Sequence, residues 1–411
     1  APVPEEPAEE TEPETPAETE PAPALDGAKI VDSGTCGDNL TWTLDEDGVL
    51  TITGTGAISD DAFSYRTDVI KAVIGSGVTS IGKRAFRGCY CLTNITIPEG
   101  VTSIGDYAFT DCVELTSAML PDSLRVIGNY TFCTCQKLEY LTIPYGVEEI
   151  GEYAFYTENF GVGMIKELDI PTTVKRIGNG AFVGDSFEET VIPDGITRIG
   201  HETFALNRDL KRITIPNGVT VIEDSAFYDC TALTDVYYYG TQDEWNTITI
   251  DTSNECLTSA NIHCMSLVDS GTFSDGLTWK LDDSGLLTIS GSGAMKALDR
   301  MGDADPFTPW GSYSDRIETV VINRGVTSIC DGAFYDCRSL KSVKIPDTVT
   351  SIGTYAFWWC SSLKNIDLPN SIADIDENAF QNCIVLENVV IPTAMTSTGT
   401  SMSTPAWRTA S

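Results

Sequence analysis

The chain has 411 residues, of which 60 are Asp or Glu and 25 are Lys or Arg, so its formal net charge is −35. This balance disfavours sequence-independent binding to DNA or RNA, where Lys and Arg must neutralise phosphates, and docking on anionic lipid. No apolar stretch of the sequence approaches the ~20 residues that a membrane-spanning helix needs.

Residues 1–26 differ in composition from the rest of the chain. They contain nine acidic residues, seven prolines and no Lys or Arg. Because so few apolar side chains cannot offset the entropy of ordering, and because like charges repel, we expect a disordered acidic Pro/Glu linker. Ala1 is either an artificial start or the mature N-terminus that signal-peptide cleavage leaves.

Residues 27–60 are predicted to form a β-hairpin cap. Apolar and polar residues alternate in this segment, and the Asp47-Gly48 pair provides the turn. Its first part, Ile30–Trp42, is repeated at Leu267–Trp279, so we expect a second β-hairpin cap with an insert over 266–314. Each cap precedes a series of repeats, whose first strand would otherwise expose an apolar end.

Repeats in steps of mostly 23 residues fill the remaining chain. In the clearest copy, Ile97-Pro98 ends an alternating strand, and Ala108-Phe109 points into the core from the opposite side. The Phe of this unit recurs at 86, 109, 132, 155, 182, 204, 227, 334, 357 and 380. Stacked units bury an apolar face that one unit cannot, which predicts a solenoid with a short parallel strand per turn, about 4.8 Å from the next.

The pattern Leu-x-x-Ile-x-Ile-Pro, followed by Ile-Gly-x-x-Ala-Phe-x-x-Cys-x-x-Leu, resembles the BspA-like leucine-rich repeats. The resemblance covers roughly 65–245 and 315–392. It implies a leucine-rich-repeat solenoid, mainly β or α/β, in a secreted or cell-surface bacterial protein that serves adhesion or binding. We therefore predict array 1 with a closing segment over 61–265, array 2 over 315–392, and a Ser/Thr-rich tail over 393–411.

Seven of the 13 cysteines sit three residues after the repeat Phe, in a slot that Glu158, Asp185 and Asn207 fill in other copies. Cys, Asn and Asp in one slot favour a ladder of small polar groups bonded to neighbouring backbone. Disulfides between adjacent turns are the alternative, although an odd total forbids complete pairing. Zinc is disfavoured, because Cys89-x-Cys91 and Cys133-x-Cys135 are too closely spaced and lack a nearby His.

Catalytic chemistry is not indicated by any motif. Asp45-Glu46-Asp47-Gly48 lacks the spacing and the distal Glu of a calcium loop, and a hairpin turn explains it. His263 stands beside Cys264, but adjacency in sequence is not the geometry of a nucleophile and its base. No catalytic, metal-binding or cofactor-binding residues are predicted, and the chain is not expected to be an enzyme.

Outward strand positions are the predicted partner surface, because the curved sheet of a solenoid is a large open face. The chosen residues are Asn94, Thr96, Tyr140, Glu167, Arg212, Tyr237, Trp358 and Trp359. Trp359 fills a slot that holds Gly88 or Asp111 in other copies, so the core does not require it. Trp358 and Trp359 are suited to stacking on sugars or anchoring a protein; the alternative is contact with the tail or with the insert around Trp310.

The predicted partner is a protein or a glycan on another cell or in the matrix, with no nucleic acid and no cofactor. The main hypothesis is a non-enzymatic adhesion or binding protein. Two alternatives remain: a carbohydrate-targeting accessory module of a larger surface enzyme, and a structural spacer of a surface layer.

Overall fold

The structure, a computed structural model, describes residues 28–139, 141–157, 165–274, 276–298, 307–387, 389–391, 397–398 and 407–409. Two buried clusters of apolar side chains divide these residues. One extends from Cys36 to Cys264, and the other from Val268 to Val389. We call residues 28–265 the first module and residues 266–409 the second module.

The first module is a succession of short strands with two single-turn helices near its end. They are β1 (Ile30–Gly37), β2 (Asn39–Asp45), β3 (Val49–Ile58), β4 (Lys71–Ile74), β5 (Val78–Ile81), β6 (Asn94–Thr96), β7 (Ser103–Ile104), β8 (Ser117–Met119), β9 (Val126–Ile127), β10 (Glu149–Ile150), β11 (Arg176–Ile177), β12 (Glu189–Val191), β13 (Arg198–Ile199), β14 (Arg212–Pro216), β15 (Val221–Ile222), β16 (Asp235–Tyr239), α1 (Gln242–Trp245), β17 (Thr249–Ile250), α2 (Glu255–Thr258) and β18 (Asn261–Cys264).

The second module repeats this plan with fewer turns. Its elements are β19 (Leu267–Phe273), β20 (Leu277–Asp282), β21 (Leu286–Gly291), β22 (Gly293–Ala294), a 3₁₀ helix (Pro309–Tyr313), β23 (Thr319–Ile322), β24 (Val326–Ile329), β25 (Ser342–Lys344), β26 (Ser351–Ile352), β27 (Asp374–Ile375), β28 (Val389–Ile391), β29 (Ser397–Thr398) and β30 (Trp407–Thr409).

The strands after each hairpin pair in parallel, which confirms the predicted leucine-rich-repeat solenoid. β4, β6 and β8 form one ladder, and β5, β7, β9, β10 and β11 form a second one. The second ladder, in which each strand ends in the Ile that precedes the repeat Gly or its equivalent, was not part of the sequence prediction. Each turn of the solenoid therefore has two strand sides and a third side of tight turns.

Antiparallel strands open both modules. β1, β2 and β3 pair antiparallel, and β3 then pairs in parallel with both β4 and β5. The bend that lets β3 join two ladders lies at Gly54 and Gly56, whose φ values are +110° and +112°. A Cβ at Gly54 would lie 2.0 Å from the Asn39 carbonyl oxygen, so no other residue fits. β21 and β22 repeat this bend.

The repeat Phe residues form a continuous stack inside each module. From Phe63 to Phe227, neighbouring ring centroids are 5.1–5.7 Å apart. Phe109 is fully buried, as the sequence predicts for the repeat Phe. On the side of the tight turns, each Phe amide donates to the next turn, for example Phe86 to the Ala108 carbonyl at 2.8 Å.

Left-handed backbone recurs at two slots in each turn. One slot lies two residues before the Phe and holds Arg84, Tyr107 and Tyr130 in consecutive turns, with φ between +54° and +59°. The other lies two residues after the Phe and holds Gly88 and Asp111. Non-glycine residues with positive φ are uncommon, so the solenoid path imposes this conformation on whatever residue occupies the slot.

The cysteine ladder has the geometry that the sequence favours. The thiols of Cys89, Cys112 and Cys135 each donate to the carbonyl 26 residues earlier at 3.2 Å. Cys230, Cys360 and Cys383 do the same. In the same slot, the Asn207 amide donates to the carbonyls of Phe182 and Phe204. The 13 cysteines are not joined by disulfide bonds.

Candidate functional site

The predicted strand-face residues of array 1 lie near opposite ends of the first module. Asn94 and Thr96 are exposed on β6, where the Asn94 side chain accepts a hydrogen bond from Ser117 at 2.7 Å. Arg212 lies on β14, and Tyr237 lies on β16. Five turns separate β6 from β14, or about 24 Å at the usual strand spacing. The structure therefore does not gather these residues into one compact site.

Two of the predicted residues fall between these ends. Glu167 is exposed, in a segment that has no strand, so the ladder of β8 does not run through to β12. Tyr140 lies outside the described residues. Their role in partner binding stays a prediction.

A polar cluster surrounds Tyr237 at the end of the first module. β16 and β18 pair so that Tyr237 lies beside His263, and their rings stack at 4.8 Å. The His263 Nε2 lies 2.7 Å from the Asp235 carboxylate, and hydrogen bonds from His263 and Thr234 lower the pKa of Asp235. Arg212 pairs with Glu189 on the neighbouring strand at 2.7 Å.

This cluster lacks the parts of a nucleophilic site. The Cys264 thiol lies on the other side of β18 and donates to the Gln242 amide oxygen at 3.6 Å. Desolvation raises the pKa of Cys264, which keeps it a thiol. Among the residues that the structure describes, no group of three His, Cys, Asp or Glu side chains is placed to hold a metal ion.

A second cluster, which we call the aromatic patch, lies on the tight-turn side of the second module. It consists of Tyr335, Tyr355, Trp358, Trp359 and Arg338. Tyr335 stacks on Trp358 at 4.6 Å, and Trp358 contacts both Tyr355 and Trp359. Tyr335, Tyr355 and Trp359 are each 37% exposed, so the patch presents three aromatic side chains to solvent.

Trp359 is the most unusual member of the aromatic patch. It occupies the second left-handed slot with φ +61°, where neighbouring turns have Asp336 and Asn382. Left-handed backbone is costly for a bulky residue and cheap for Asn or Asp. The Arg338 guanidinium lies 4.9 Å from the Trp359 ring and pairs with Asp336 at 2.7 Å. A strained, exposed indole held beside a cation has no evident role in the core.

The insert around Trp310 contributes to the core and touches the aromatic patch only at its rim. Trp310 is fully buried against Phe273 and Phe334, and its indole N–H donates to the Ala333 carbonyl at 2.7 Å. It continues the Phe stack of the second module. Phe307 of the insert contacts Tyr335 at 5.4 Å, which links the described part of the insert to the aromatic patch.

Sequence reasoning selected Trp358 and Trp359 but missed the tyrosines around them. Tyr355 occupies the first left-handed slot, as do Tyr107, Tyr130 and Tyr153 of the first module. Those three stack on one another at 4.8 and 5.2 Å. Tyr355 could have been found in the sequence from its position two residues before the repeat Phe, which these three tyrosines share.

Sequence comparison identifies the repeats. The family model described as "BspA type Leucine rich repeat region" matches the chain in six copies, over residues 56–162, 158–275 and 312–403. No curated protein matches the chain. Within the described residues, no helix is long and apolar enough to cross a membrane.

Solved structures of bacterial leucine-rich repeat proteins resemble the chain at low identity. A leucine-rich repeat protein from Bacteroides ovatus is 23% identical, with a TM-score of 0.37 over 88% of this chain and 89% of that one. One from Eubacterium ventriosum is 21% identical, with a TM-score of 0.37 over 90% and 93% of the two chains. A leucine rich cell surface protein from Faecalibacterium prausnitzii is 22% identical, with a TM-score of 0.31 over 91% of each.

Proposed function

The chain belongs to the BspA-type leucine-rich repeat family, and we propose that it is a secreted or cell-surface protein that binds a partner and catalyses no reaction. An acidic Pro/Glu segment of 26 residues precedes the repeats, which suits a module held away from a cell surface. The repeats provide an extended surface whose side chains vary from turn to turn. The partner is a protein on another cell or in the matrix.

The observation that carries this proposal is the aromatic patch. Trp, Tyr and Arg are the residues most enriched among those that dominate protein–protein binding. The patch combines all three, and Trp359 is exposed at a slot that disfavours it. A binding role accounts for an indole that folding does not require.

A glycan is the second candidate partner, because the faces of indole and phenol rings also pack against the C–H groups of sugars. In that case the chain would act as a carbohydrate-targeting module of a larger surface enzyme. Gln381, which accepts a hydrogen bond from the Trp358 indole at 3.0 Å, supplies a polar group at the same place.

The test compares the Trp359→Asn variant with the full chain on a glycan array and on a panel of purified matrix proteins. Asn is native to the equivalent slot of the next turn, at Asn382, so the backbone should tolerate it. Loss of a central anchor costs about 2 kcal/mol or more, or about 30-fold in affinity. Tyr228→Ala, which removes a 53% exposed Tyr from the first module, is the matched control and should leave binding unchanged.

The pattern of results separates the candidates. If the chain binds a matrix protein and Trp359→Asn weakens that binding, the main proposal is supported. If the chain binds only on the glycan array, the glycan alternative is supported. If the unaltered chain binds neither panel, the spacer of a surface layer becomes the better explanation. Equal binding by Trp359→Asn and the full chain would remove the aromatic patch as the site.

A further inference from the structure

The two modules contact each other along a line that we call the seam. Its residues belong to turns after the strands or to outward strand positions. They are Thr142, Tyr145, Asp169, Asp194 and Tyr239 of the first module, and Lys280, Thr288, Arg324, Gly325 and Lys344 of the second. These contacts join residues as far as 182 positions apart in the chain.

The seam begins beside the connection between the modules. Tyr239 lies under Lys280, whose Nζ is 5.2 Å from the ring centroid, and Thr288 lies close to the Tyr239 hydroxyl. Desolvation raises the pKa of Tyr239 to about 12. Lys280 also forms an ion pair with Asp194, two repeats further from the connection. A single lysine thus binds two turns of the first module.

The seam continues away from the connection in antiparallel order. Asp169 lies near Arg324 and Lys344 of the second module. Desolvation raises the pKa of Asp169, while both cations act to lower it. Arg324 also donates to the Thr142 hydroxyl at 3.1 Å. Along the seam, the contact residues of the first module therefore decrease in number from Tyr239 to Thr142, while those of the second module increase from Lys280 to Lys344.

The charges on the two sides of the seam are complementary. The first module contributes Asp169 and Asp194, and the second contributes Lys280, Arg324 and Lys344. The ion pair that crosses the seam joins Lys280 to Asp194. Arg324 also pairs with Asp347 of its own module at 2.8 Å, and Arg324 and Lys344 both lie near Asp169. Opposed patches of unlike charge fix the register of an interface and disfavour wrong pairings.

The connection between the modules is short and held on both sides. Only Met265 and Ser266 separate β18 from β19. The Met265 N–H donates to the Tyr238 carbonyl at 2.8 Å, and the Ser266 carbonyl accepts from Asp283 at 2.9 Å. A short tether gives the two faces a high effective concentration for each other. Modest ion pairs can therefore hold the seam closed.

We propose that the seam is an intramolecular clamp, in which the second module docks along one edge of the first module and restricts the access of outside partners to that edge. The clamp leaves other surfaces accessible, since Asn94 and Thr96 are exposed on β6 and the aromatic patch lies on the tight-turn side. The Lys280–Asp194 ion pair is partly exposed, since the two residues retain 25% and 54% of their side-chain surface. Salt therefore weakens it.

The test uses the full chain and needs no partner, so its outcome is independent of the proposed function. Small-angle X-ray scattering is recorded for the chain, for Asp194→Lys, and for Asp194→Lys combined with Lys280→Asp. Asp209→Lys makes the same charge change at an exposed position outside the seam and serves as the control. Circular dichroism establishes that each variant is folded.

We expect Asp194→Lys to increase the maximum dimension of the particle, and the double variant, which restores an ion pair in reverse, to return it to the original value. Raising the salt from about 0.1 M to about 1 M shortens the Debye length from about 10 Å to about 3 Å and should open the unaltered chain. Asp209→Lys should behave as the original.

Acetylation of Lys280, measured by mass spectrometry, provides a second readout in case the particle dimensions change little. Its rate relative to exposed Lys71 should rise several-fold in high salt and in Asp194→Lys. If scattering and Lys280 acetylation are the same in the chain and in folded Asp194→Lys, and neither responds to salt, the clamp is refuted. An opened Asp194→Lys that the second substitution does not restore would also overturn the ion-pair assignment.

Discussion

Replacement of Phe109 by Ala tests the stack on which the first module is built. Phe109 is fully buried between Phe86 and Phe132, with a centroid separation of 5.3 Å on each side. Burial of a Phe side chain is worth about 1.5–3 kcal/mol by transfer alone, and the cavity left behind brings Phe→Ala to about 3–5 kcal/mol. Because two ring–ring contacts are lost as well, each worth about 0.5–1.5 kcal/mol, we expect the upper half of that range.

Urea denaturation followed by circular dichroism measures this loss as a change in the free energy of unfolding. Tyr107→Ala is the matched control. Tyr107 stacks on Tyr130 at 4.8 Å but is only half-buried, so its replacement should cost no more than about 1 kcal/mol. A loss below about 1 kcal/mol for Phe109→Ala would refute the continuous buried stack.

Three further predictions concern single side chains. Trp359→Asn should retain or slightly raise the stability of the second module, because left-handed backbone costs Asn about 1 kcal/mol less than Trp. A clear fall in the denaturation midpoint would show instead that Trp359 contributes packing. Asp185→Asn should stabilise the chain by about 1–3 kcal/mol at pH 7, because the buried carboxylate leaves its Oδ2 without a partner. Burial raises the pKa of Asp185 well above 3.8, so the free energy of unfolding of the original chain should fall as pH rises from about 4, and that of Asp185→Asn should not. Parallel pH profiles of the two proteins would contradict this. Desolvation raises the pKa of Cys89 from 9.0 to about 12, so the free energy of unfolding should fall as pH rises from 9 towards 12. Thiol titration of the unfolded, unreduced protein should find most of the 13 cysteines free.

The repeat pattern was sufficient to predict the fold, because each slot has the same environment in every turn. Phe109 and its equivalents are buried wherever the pattern places them. The Cys slot is bonded to backbone carbonyls because Cys and Asn side chains can both donate, as Asn207 shows. Asp185 in the same slot instead accepts a hydrogen bond from the Ile165 N–H. The limits of the caps and arrays stay predictions.

Features that depend on backbone conformation or on distant residues could not be predicted in the same way. The left-handed slot of Tyr107 holds Arg84 and Ser225 in other turns, so no residue type marks it. Lys280 and Asp194 are 86 residues apart and belong to different repeats, and periodicity carries no information on such a pair. Only part of the aromatic patch could be predicted. Trp359 differs from the residue types that occupy its repeat position in other turns, and Tyr335 does not.

The thiol ladder has a consequence for how such a chain can change in length. Six of the seven ladder cysteines donate to a carbonyl of the preceding turn, as Cys112 does to Phe86, and not to another cysteine. Gain or loss of one whole turn by recombination within the gene therefore leaves no orphaned half of a covalent pair. The number of turns is free to drift while every remaining turn keeps its bonding, and length becomes a property that selection can adjust without rebuilding the core.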